Sequence, residues 1–338
     1  MWIMEMCNFP RVLIMFRRLF ALLLVFVVVV FINCRWEWRR LVADFRNLCA
    51  GDIVDFTFAN NITGFGYPII PNVVHFVHLG NASLSFVEVV CIRAAWIQQR
   101  PSKLWIHCDM CSSVRGGSYW AFVDSIPGLE LRNVRRPRYV FGKRLSSIYH
   151  ASDILRLKIL LQYGGIFLDG DSYLVRSLDP FRHFEMSLGW PPQMALGTQV
   201  LVAHKNARFL RLWYESYRYY KPERWYWNAG QLPTEMFLIV RPHLVHRVPW
   251  DFGVHDMTRL LYAVCSSDWQ RFYAIHLLFR HRHYLIANYT PLDERSIINY
   301  NKTFGQMARL VLCGTTRQSG IKDIQWLLEN QIEYTSCG

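Results

Sequence analysis

The sequence predicts an α/β domain built on one sheet with helices on both faces. Short apolar stretches of strand length alternate with longer stretches of helical periodicity, which is the pattern of βαβ units. Apolar residues make up 52% of the 338 residues and charged residues 19%, enough for a folded core. No internal repeat or low-complexity run interrupts the alternation.

The regular elements begin near residue 72. Residues 72–80, NVVHFVHLG, have a buried-strand pattern that ends in glycine. SFVEVVCIRAAWIQQR follows with helical spacing, and KLWIHC at 103–108 predicts a second strand. YWAFVDSI predicts a helix, LELRNV a strand, and NARFLRLWYESYRYY a helix with an aromatic stripe.

The stretch at residues 151–180 carries the functional prediction. Its sequence is ASDILRLKILLQYGGIFLDGDSYLVRSLDP. Ser152 is a candidate N-cap, and the glycine pair at 164–165 ends the helix. At 100° per residue, Asp153 and Arg156 fall within the apolar arc of this helix. They either form an internal ion pair or emerge together at the edge of a site.

Two carboxylates follow the apolar strand GIFLD. Ligands of open α/β sheets bind beyond the carboxyl ends of the strands, where Asp169 and Asp171 are placed. Residues two apart on a strand can face the same way, and Gly170 between them allows close approach. Two carboxylates suit Mn²⁺ or Mg²⁺, which would carry a nucleotide diphosphate.

The order D-x-x-R, double glycine, apolar strand, D-x-D resembles the DXD sugar-binding glycosyltransferases. This family includes fungal initiating mannosyltransferases, alpha-1,4-galactosyltransferases and bacterial glucosylating toxins. The resemblance is close over residues 149–180 and extends loosely over about half of the chain. It implies a glycosyltransferase A-type, Rossmann-like mixed sheet with flanking helices, a UDP- or GDP-sugar donor, Mn²⁺ (or Mg²⁺) dependence and retention of the anomeric configuration.

The resemblance also implies roles for the residues of this stretch. Asp153 and Arg156 would contact the donor sugar or ribose, and Gly165 would shape the turn beside the donor. Asp169 would hold the ribose or sugar and assist with the metal. Asp171 would be the main metal ligand, and the two aspartates form the catalytic pair.

Two histidines complete the set that the resemblance implies. His78 stands at the end of the first strand, where family members often carry Trp, and is counted with the donor-binding residues. His276 lies in YAIHLLFR, which resembles a late His-containing segment of the family. It would approach the metal or the diphosphate, or else be an internal structural histidine.

An apolar run near the N-terminus predicts membrane attachment. Residues 19–32 are apolar without interruption, which at about 1.5 Å per residue gives a helix somewhat shorter than a bilayer core. A signal peptide and a short signal anchor both fit, and the missing small-x-small cleavage site favours the anchor. We therefore expect a cytosolic tail at 1–18, an anchor at 19–33, a stem at 34–68 and a lumenal catalytic domain at 69–338.

Sequons and cysteines fit a lumenal domain. Four N-x-[ST] sequons begin at Asn61, Asn81, Asn288 and Asn301. Nine cysteines suit an oxidising compartment, and Cys108-x-x-Cys111 predicts either a disulfide, plain buried thiols or, with less support, a zinc or redox site. We expect a single-pass type II protein of the Golgi or ER membrane.

The net charge of +13 favours anionic partners such as phosphate-bearing substrates. No zinc-finger spacing, basic heptad or aromatic-basic signature supports nucleic acid as a partner. The function expected is sugar transfer to a lumenal glycan, glycolipid or protein. Two alternatives stay open: a catalytically silent sugar-binding or scaffold protein, and a D-x-D phosphatase whose first aspartate is the nucleophile.

Overall fold

The computed structural model describes residues 54, 56–57, 59–284 and 292–314. The expected tail and anchor, and the stem as far as residue 53, lie outside these residues. In the described ranges no helix combines the length and the apolar character that crossing a membrane requires. The compact unit that contains the sheet begins at Phe56, whose side chain is buried, so the end of the expected stem belongs to it.

Eleven strands are found in the described part of the chain. They are β1 (Val73–His78), β2 (Lys103–Cys108), β3 (Leu129–Asn133), β4 (Tyr139–Val140), β5 (Lys143–Arg144), β6 (Gly165–Leu168), β7 (Ser172–Leu174), β8 (Met186–Gly189), β9 (Val200–Ala203), β10 (His246–Val248) and β11 (Ala274–His276). Seven of them form one mixed sheet in the order β10-β8-β9-β6-β1-β2-β3.

The direction of the strands changes once on each side of β9. β6, β1, β2 and β3 are parallel, β9 runs antiparallel between β6 and β8, and β10 is parallel to β8. Outside this sheet, β7 pairs with β11 and β4 with β5, both antiparallel. The mixed α/β fold expected from the sequence is confirmed.

Seven α-helices accompany the strands in the same described ranges. They are α1 (Phe86–Gln99), α2 (Cys111–Arg115), α3 (Ile148–Tyr163), α4 (Arg208–Ser216), α5 (Thr258–Tyr262), α6 (Ser296–Asn299) and α7 (Thr303–Cys313). The helix predicted for YWAFVDSI is wrong, because only a short 3₁₀ segment forms at Ser118–Phe122. A glycine pair before it and Pro127-Gly128 after it disfavour a regular α-helix here.

Helix α3 begins a turn earlier than the sequence suggested. Ser147 is the N-cap, with its side-chain oxygen accepting from the backbone N–H of His150 at 3.1 Å, so the assignment of Ser152 as the cap is wrong. Both serines fit the capping preference, and the burial of His150 and Ala151 extends the helix on the N-terminal side of Ser152. Asp153 and Arg156 consequently lie inside the helix rather than at its start.

The double glycine after α3 fits β6 tightly against β1. Gly165 has φ +110°, and a side chain there would place its Cβ only 2.6 Å from the carbonyl oxygen of Val73. Only glycine satisfies both the backbone conformation and this close approach. The expected turn is therefore present, and it fixes where the carboxyl end of β6 lies.

Two apolar clusters hold the strand ends in place. One cluster joins α1, α5 and α7 to β7 and β11 and includes Tyr173. The other joins α3 and α4 to β6, β8 and β9 and includes Phe167. The D-x-D segment links a strand of one cluster to a strand of the other, so packing on both sides determines its position.

A buried histidine pair lies between the first two strands. His75 Nδ1 is 3.1 Å from His107 Nε2, and His75 Nε2 is 2.8 Å from the carbonyl oxygen of Gly164. Burial lowers the pKa of His75 to about 4 and that of His107 to about 3. The folded protein therefore holds both rings neutral at pH 7.

We expect the free energy of unfolding to fall as the pH drops from about 6.5 towards 4. In that range the unfolded chain binds protons that the folded histidine pair excludes, so stability rises with pH. By pH 5 the loss is roughly 2 kcal/mol for each histidine. Urea unfolding at pH 7 and pH 5 measures it. His107→Gln should flatten the dependence, whereas replacing the exposed His243 by Gln should not. An unchanged pH slope in His107→Gln would contradict the assignment.

Candidate active site

The D-x-D segment forms a tight turn between two strands. Asp169 directly follows β6, and its N–H donates to the carbonyl oxygen of Gln199 at 2.9 Å, which extends the pairing with β9. The N–H of Ser172 donates back to the carbonyl oxygen of Asp169 at 2.8 Å. The N–H of Leu277 donates to the carbonyl oxygen of Asp171 at 2.9 Å. Backbone hydrogen bonds thus fix both aspartates.

Arg156 binds two partly buried carboxylates, those of Asp153 and Asp169. Its Nη2 lies 3.0 Å from Asp153 Oδ1 and 3.2 Å from Asp169 Oδ1, and its Nη1 lies 3.2 Å from Asp169 Oδ2. Nη1 also donates to the carbonyl oxygen of Thr198 at 2.9 Å. The internal ion pair considered from the sequence is present, and its two members also line a cavity.

Burial dominates the electrostatics of this triad. Desolvation raises the pKa of Asp153 and of Asp169, and the guanidinium of Arg156 offsets only part of that. Burial alone would lower the pKa of Arg156, but the charges of Asp169 and Asp153 raise it. A charged Arg156 therefore holds two carboxyl groups that are poorly solvated.

Asp171 has a different partner. Its Oδ1 lies 3.2 Å from His276 Nε2, because β11 pairs with β7 and places His276 opposite Ser172. Burial alone would raise the pKa of Asp171, but the charge and hydrogen bond of His276 and the charge of Arg280 bring it below the usual value. Burial tends to lower the pKa of His276, and Asp171 more than offsets this. Asp171 is thus ionised over a wide pH range.

These groups face one cavity of about 890 Å³. Asp153, Arg156, Asp169, Asp171 and His276 all line it. Val77 at the end of β1 and Val87 and Glu88 at the start of α1 also line the cavity. Further lining residues come from α3 and from the loops after β8 and α4: Tyr149, Met194, Trp225 and Tyr226. A volume of this size accommodates a ligand larger than a single sugar.

His78 does not line the cavity. Its Nδ1 lies 2.7 Å from Glu88 Oε1 and its Nε2 lies 2.8 Å from the carbonyl oxygen of Ala82, so both ring nitrogens have protein partners. Gly165 is likewise absent from the lining, because it lies within the sheet against β1. Direct contact of either residue with a donor stays a prediction, and the structure gives both of them supporting positions.

Glu88 is a cavity residue that the sequence reasoning missed. Its Oε2 accepts from the N–H and the hydroxyl of Ser85, each at 2.8 Å, in the capping box of α1. A Cβ at Gly170 would lie 3.0 Å from Glu88 Cγ, so Glu88 packs directly against the D-x-D turn. The S-x-x-E pattern before the apolar run of α1 could have identified Glu88.

The carboxylate oxygens at the D-x-D turn suit a divalent ion whose remaining ligands come from water and substrate. No group of three or more His, Cys, Asp or Glu side chains in the described ranges forms a complete metal cage. Mg²⁺ and Mn²⁺ sites of the kind that bind nucleotides use one or two carboxylates plus water and phosphate oxygens. Asp171, ionised and facing the cavity, is such a carboxylate, and Asp169 adjoins it with both oxygens near Arg156.

Comparison with known proteins finds a family that this region resembles. Residues 89–188 match the family described as the glycosyltransferase sugar-binding region containing the DXD motif. The match contains Asp153, Arg156, Asp169 and Asp171 and confirms the family resemblance seen in the sequence. The part of the chain that carries the site is therefore similar to the DXD glycosyltransferases.

Individual relatives are more distant. The chain is 23% identical over 186 residues to glucan organizing enzyme 1 of Cryptococcus neoformans var. grubii, a match that covers 50% of each protein. The chain thus spans about half the length of this curated relative. Among solved structures it is similar to PaToxG glycosyltransferase (22% identity, 51% of this chain and 70% of the other, TM-score 0.37). It is also similar to glycosyltransferase GlyE of Streptococcus pneumoniae TIGR4 (6% identity, 77% and 63%, TM-score 0.40).

Proposed function

We propose that this protein is a metal-dependent, retaining glycosyltransferase of the A-type fold that uses a UDP- or GDP-sugar. One observation carries the proposal: an ionised Asp171 and the Asp153–Arg156–Asp169 triad face the same cavity at the carboxyl end of β6. This is the position at which open α/β sheets bind nucleotides. The mixed sheet and the family match of residues 89–188 support it.

Asp171, assisted by Asp169, would hold the Mn²⁺ or Mg²⁺ ion. When bound, the ion supplies charge neutralisation for the diphosphate that leaves the sugar. Arg156 keeps Asp169 and Asp153 oriented towards the cavity, where carboxylate oxygens can accept hydrogen bonds from sugar or ribose hydroxyls. His276 holds Asp171 in place from the opposite strand.

Four carboxylates line the cavity in the part of the chain that the structure describes. Their contacts favour a mechanism in which the acceptor attacks the sugar from the side of the leaving group. Glu88 is bound by Ser85 and His78, Asp153 and Asp169 by Arg156, and Asp171 by His276. A retaining enzyme that forms a covalent intermediate needs a carboxylate free to attack the anomeric carbon. Each of these four carboxylates already has a charged or capping partner. Front-side attack, with the leaving phosphate as the base, therefore fits this chain better.

The two alternative functions make different demands on the same residues. A D-x-D phosphatase needs its first aspartate as a nucleophile, but Arg156 contacts both oxygens of Asp169 and stabilises their charge, which makes Asp169 a weaker nucleophile. A silent sugar-binding protein has no need for an ionised carboxylate beside an open cavity, and Asp171 of this chain is such a carboxylate. Both observations favour the transferase.

We further propose that the domain works in the lumen of the Golgi or ER, attached through the N-terminal apolar run. Two observations support a lumenal domain. Cys108 and Cys111 form a disulfide, which persists in oxidising compartments. The sequon residues Asn81 and Asn301 are exposed, whereas Asn61 is buried and donates to the carbonyl oxygen of His243 at 2.6 Å.

A donor screen tests the proposal. The full-length protein is incubated with UDP- and GDP-linked hexoses in Mn²⁺, Mg²⁺ or EDTA, and free nucleoside diphosphate is measured. We expect one donor to be consumed with a divalent ion and spared in EDTA. Phosphate release from simple phosphoesters would instead identify a phosphatase. Donor binding with no nucleotide release under any condition would identify a silent protein.

A further inference from the structure

Two aromatic side chains lie exposed at the edge of the cavity. Tyr149 is 44% exposed and Trp225 is 57% exposed, and both line the cavity. Their ring centroids are 5.1 Å apart with an interplanar angle of 70°. We call this pair the aromatic rim. The donor chemistry at the carboxylates makes no use of it.

Buried hydrogen bonds keep the rim in position. His150 Nε2 lies 3.2 Å from the carbonyl oxygen of Trp225, and His150 Nδ1 lies 2.5 Å from the hydroxyl of Tyr220. The hydroxyl of Tyr226 donates to the carbonyl oxygen of Leu196 at 2.7 Å. Arg280 lies over the ring of Tyr149, 4.4 Å from its centroid, so Trp225 offers the larger open face, held on a fixed backbone as in a binding surface.

Helix α3 sets the distance between the rim and the carboxylates. Tyr149, Asp153 and Arg156 lie on one face of the helix at positions i, i+4 and i+7, and all three line the cavity. Four residues of helix separate Asp153 from Tyr149 by about 6 Å along the axis. A sugar bound at Asp153 and Asp169 would therefore leave the rim next to it, where the rim can contact the next group that enters the cavity.

The chemistry of the rim fits the ring of a sugar. Tyr and Trp side chains offer a broad apolar face with one polar group, which suits a pyranose whose C–H bonds form an apolar face surrounded by hydroxyls. A Ser or Thr side chain of a protein acceptor offers no such face. Resting on the proposed function of this cavity, we infer that Trp225 stacks against a pyranose of the acceptor, with Tyr149 against the edge of the same ring, and that the acceptor is a glycan.

The nucleobase of the donor has a different place in the cavity. Nucleotides of open α/β sheets lie along the carboxyl ends of the strands, which here contribute Val77 of β1 and the adjoining Val87 and Glu88 of α1. The rim belongs instead to the first turn of α3 and to the loop after α4. The base and the acceptor sugar therefore occupy different parts of the cavity.

The test compares two exposed tryptophans. Trp225→Ala removes the rim, and Trp250→Ala is the matched control, because Trp250 is 49% exposed but does not line the cavity. Full-length protein is assayed with the donor found in the screen and, as acceptors, the methyl α- and β-pyranosides of glucose, galactose and mannose or a threonine-containing tripeptide. We expect Trp225→Ala to raise the KM for the methyl glycoside about tenfold or more, and the donor KM less than twofold. Trp250→Ala should leave both constants unchanged.

Other outcomes overturn the inference. If Trp225→Ala raises the donor KM instead, the rim binds the nucleobase. If the wild-type protein transfers sugar to the tripeptide and to none of the glycosides, the acceptor is a protein. Should Trp225→Ala fail to fold, Tyr149→Ala is used in its place, with Trp225→Phe expected to retain most of the glycoside affinity.

Saturation-transfer NMR separates failure of this inference from failure of the proposed function. The methyl glycosides are added to the protein without donor, and saturation is followed at the ring C–H protons. We expect transfer in wild type and Trp250→Ala and its loss in Trp225→Ala, even if no sugar nucleotide is consumed. Equal saturation transfer in all three proteins would contradict sugar binding by the aromatic rim, whatever the enzyme assay shows.

Discussion

Replacing Asp171 by asparagine is expected to reduce turnover by about a thousandfold or more while leaving the fold intact. The amide keeps the shape of the side chain and the backbone hydrogen bond from Leu277, but it removes the charge that faces the cavity. Charge stabilisation of a leaving group is among the largest contributions to catalysis. Turnover is measured at saturating donor and divalent ion, and the loss of the ion pair with His276 should lower the unfolding free energy by no more than about 3 kcal/mol.

Asp124→Asn is the control for this variant. Asp124 is an exposed aspartate after the 3₁₀ segment and does not line the cavity. We expect its turnover to equal that of the wild type. Wild-type turnover in Asp171→Asn with Mn²⁺ present would refute the proposed role of the D-x-D turn.

Replacing Arg156 by methionine is expected to lower the free energy of unfolding by about 3 kcal/mol, because two partly buried carboxylates lose their common partner. Arg156 is 5% exposed, and its side chain is close to Asp153, Asp169 and the carbonyl oxygen of Thr198. Urea unfolding at pH 7 measures the loss. Adding Asp153→Leu to Arg156→Met should recover part of it, since one unpaired carboxylate is then removed.

Arg218→Met is the matched control, because Arg218 and Glu215 form an ion pair with the same i,i+3 spacing at the surface. Their side chains are 60% and 47% exposed and their closest atoms are 2.7 Å apart. Water screens such a pair, so we expect a loss of about 1 kcal/mol or less. Equal losses in Arg156→Met and Arg218→Met would show that the triad is not a buried electrostatic centre.

Periodicity predicted the elements that are long enough to display it. β1, α1, β2, β3 and β6 were expected from apolar runs and are present. β7, β10 and β11 have three residues each, too few for a period-two pattern, and their pairing depends on residues far away in sequence. Local sequence therefore could not predict the sheet beyond β6 or the contact between β7 and β11.

The candidate site was predictable where its residues are close in sequence. Asp153, Arg156, Asp169 and Asp171 lie within one helix–turn–strand stretch whose order carries information. The pairing of Arg156 with Asp169 was not foreseen, because the sequence reasoning considered Asp153 alone as its partner. The start of α3 was misassigned because Ser147 and Ser152 are equally good caps by residue type.

The aromatic rim shows a different limit. Tyr149 and Trp225 are brought together by the hydrogen bonds of His150, which connect the first turn of α3 to a loop after α4. An aromatic residue in a loop carries no signal that distinguishes a binding surface from core packing. Only exposure within a cavity, which is a property of the folded chain, makes that distinction.

The pairing of β7 with β11 has a consequence for folding during translation. The side chain of Asp169 contacts Arg156, which also contacts Asp153 and Thr198, and these residues leave the ribosome close together in time. The side-chain partner of Asp171 is His276, which is translated about 100 residues later. The hydroxyl of Tyr173 donates to the carbonyl oxygen of Met307, which is translated later still. During synthesis, the side chain of Asp169 therefore has its partners early, whereas Asp171 lacks its side-chain partner until β11 has been translated.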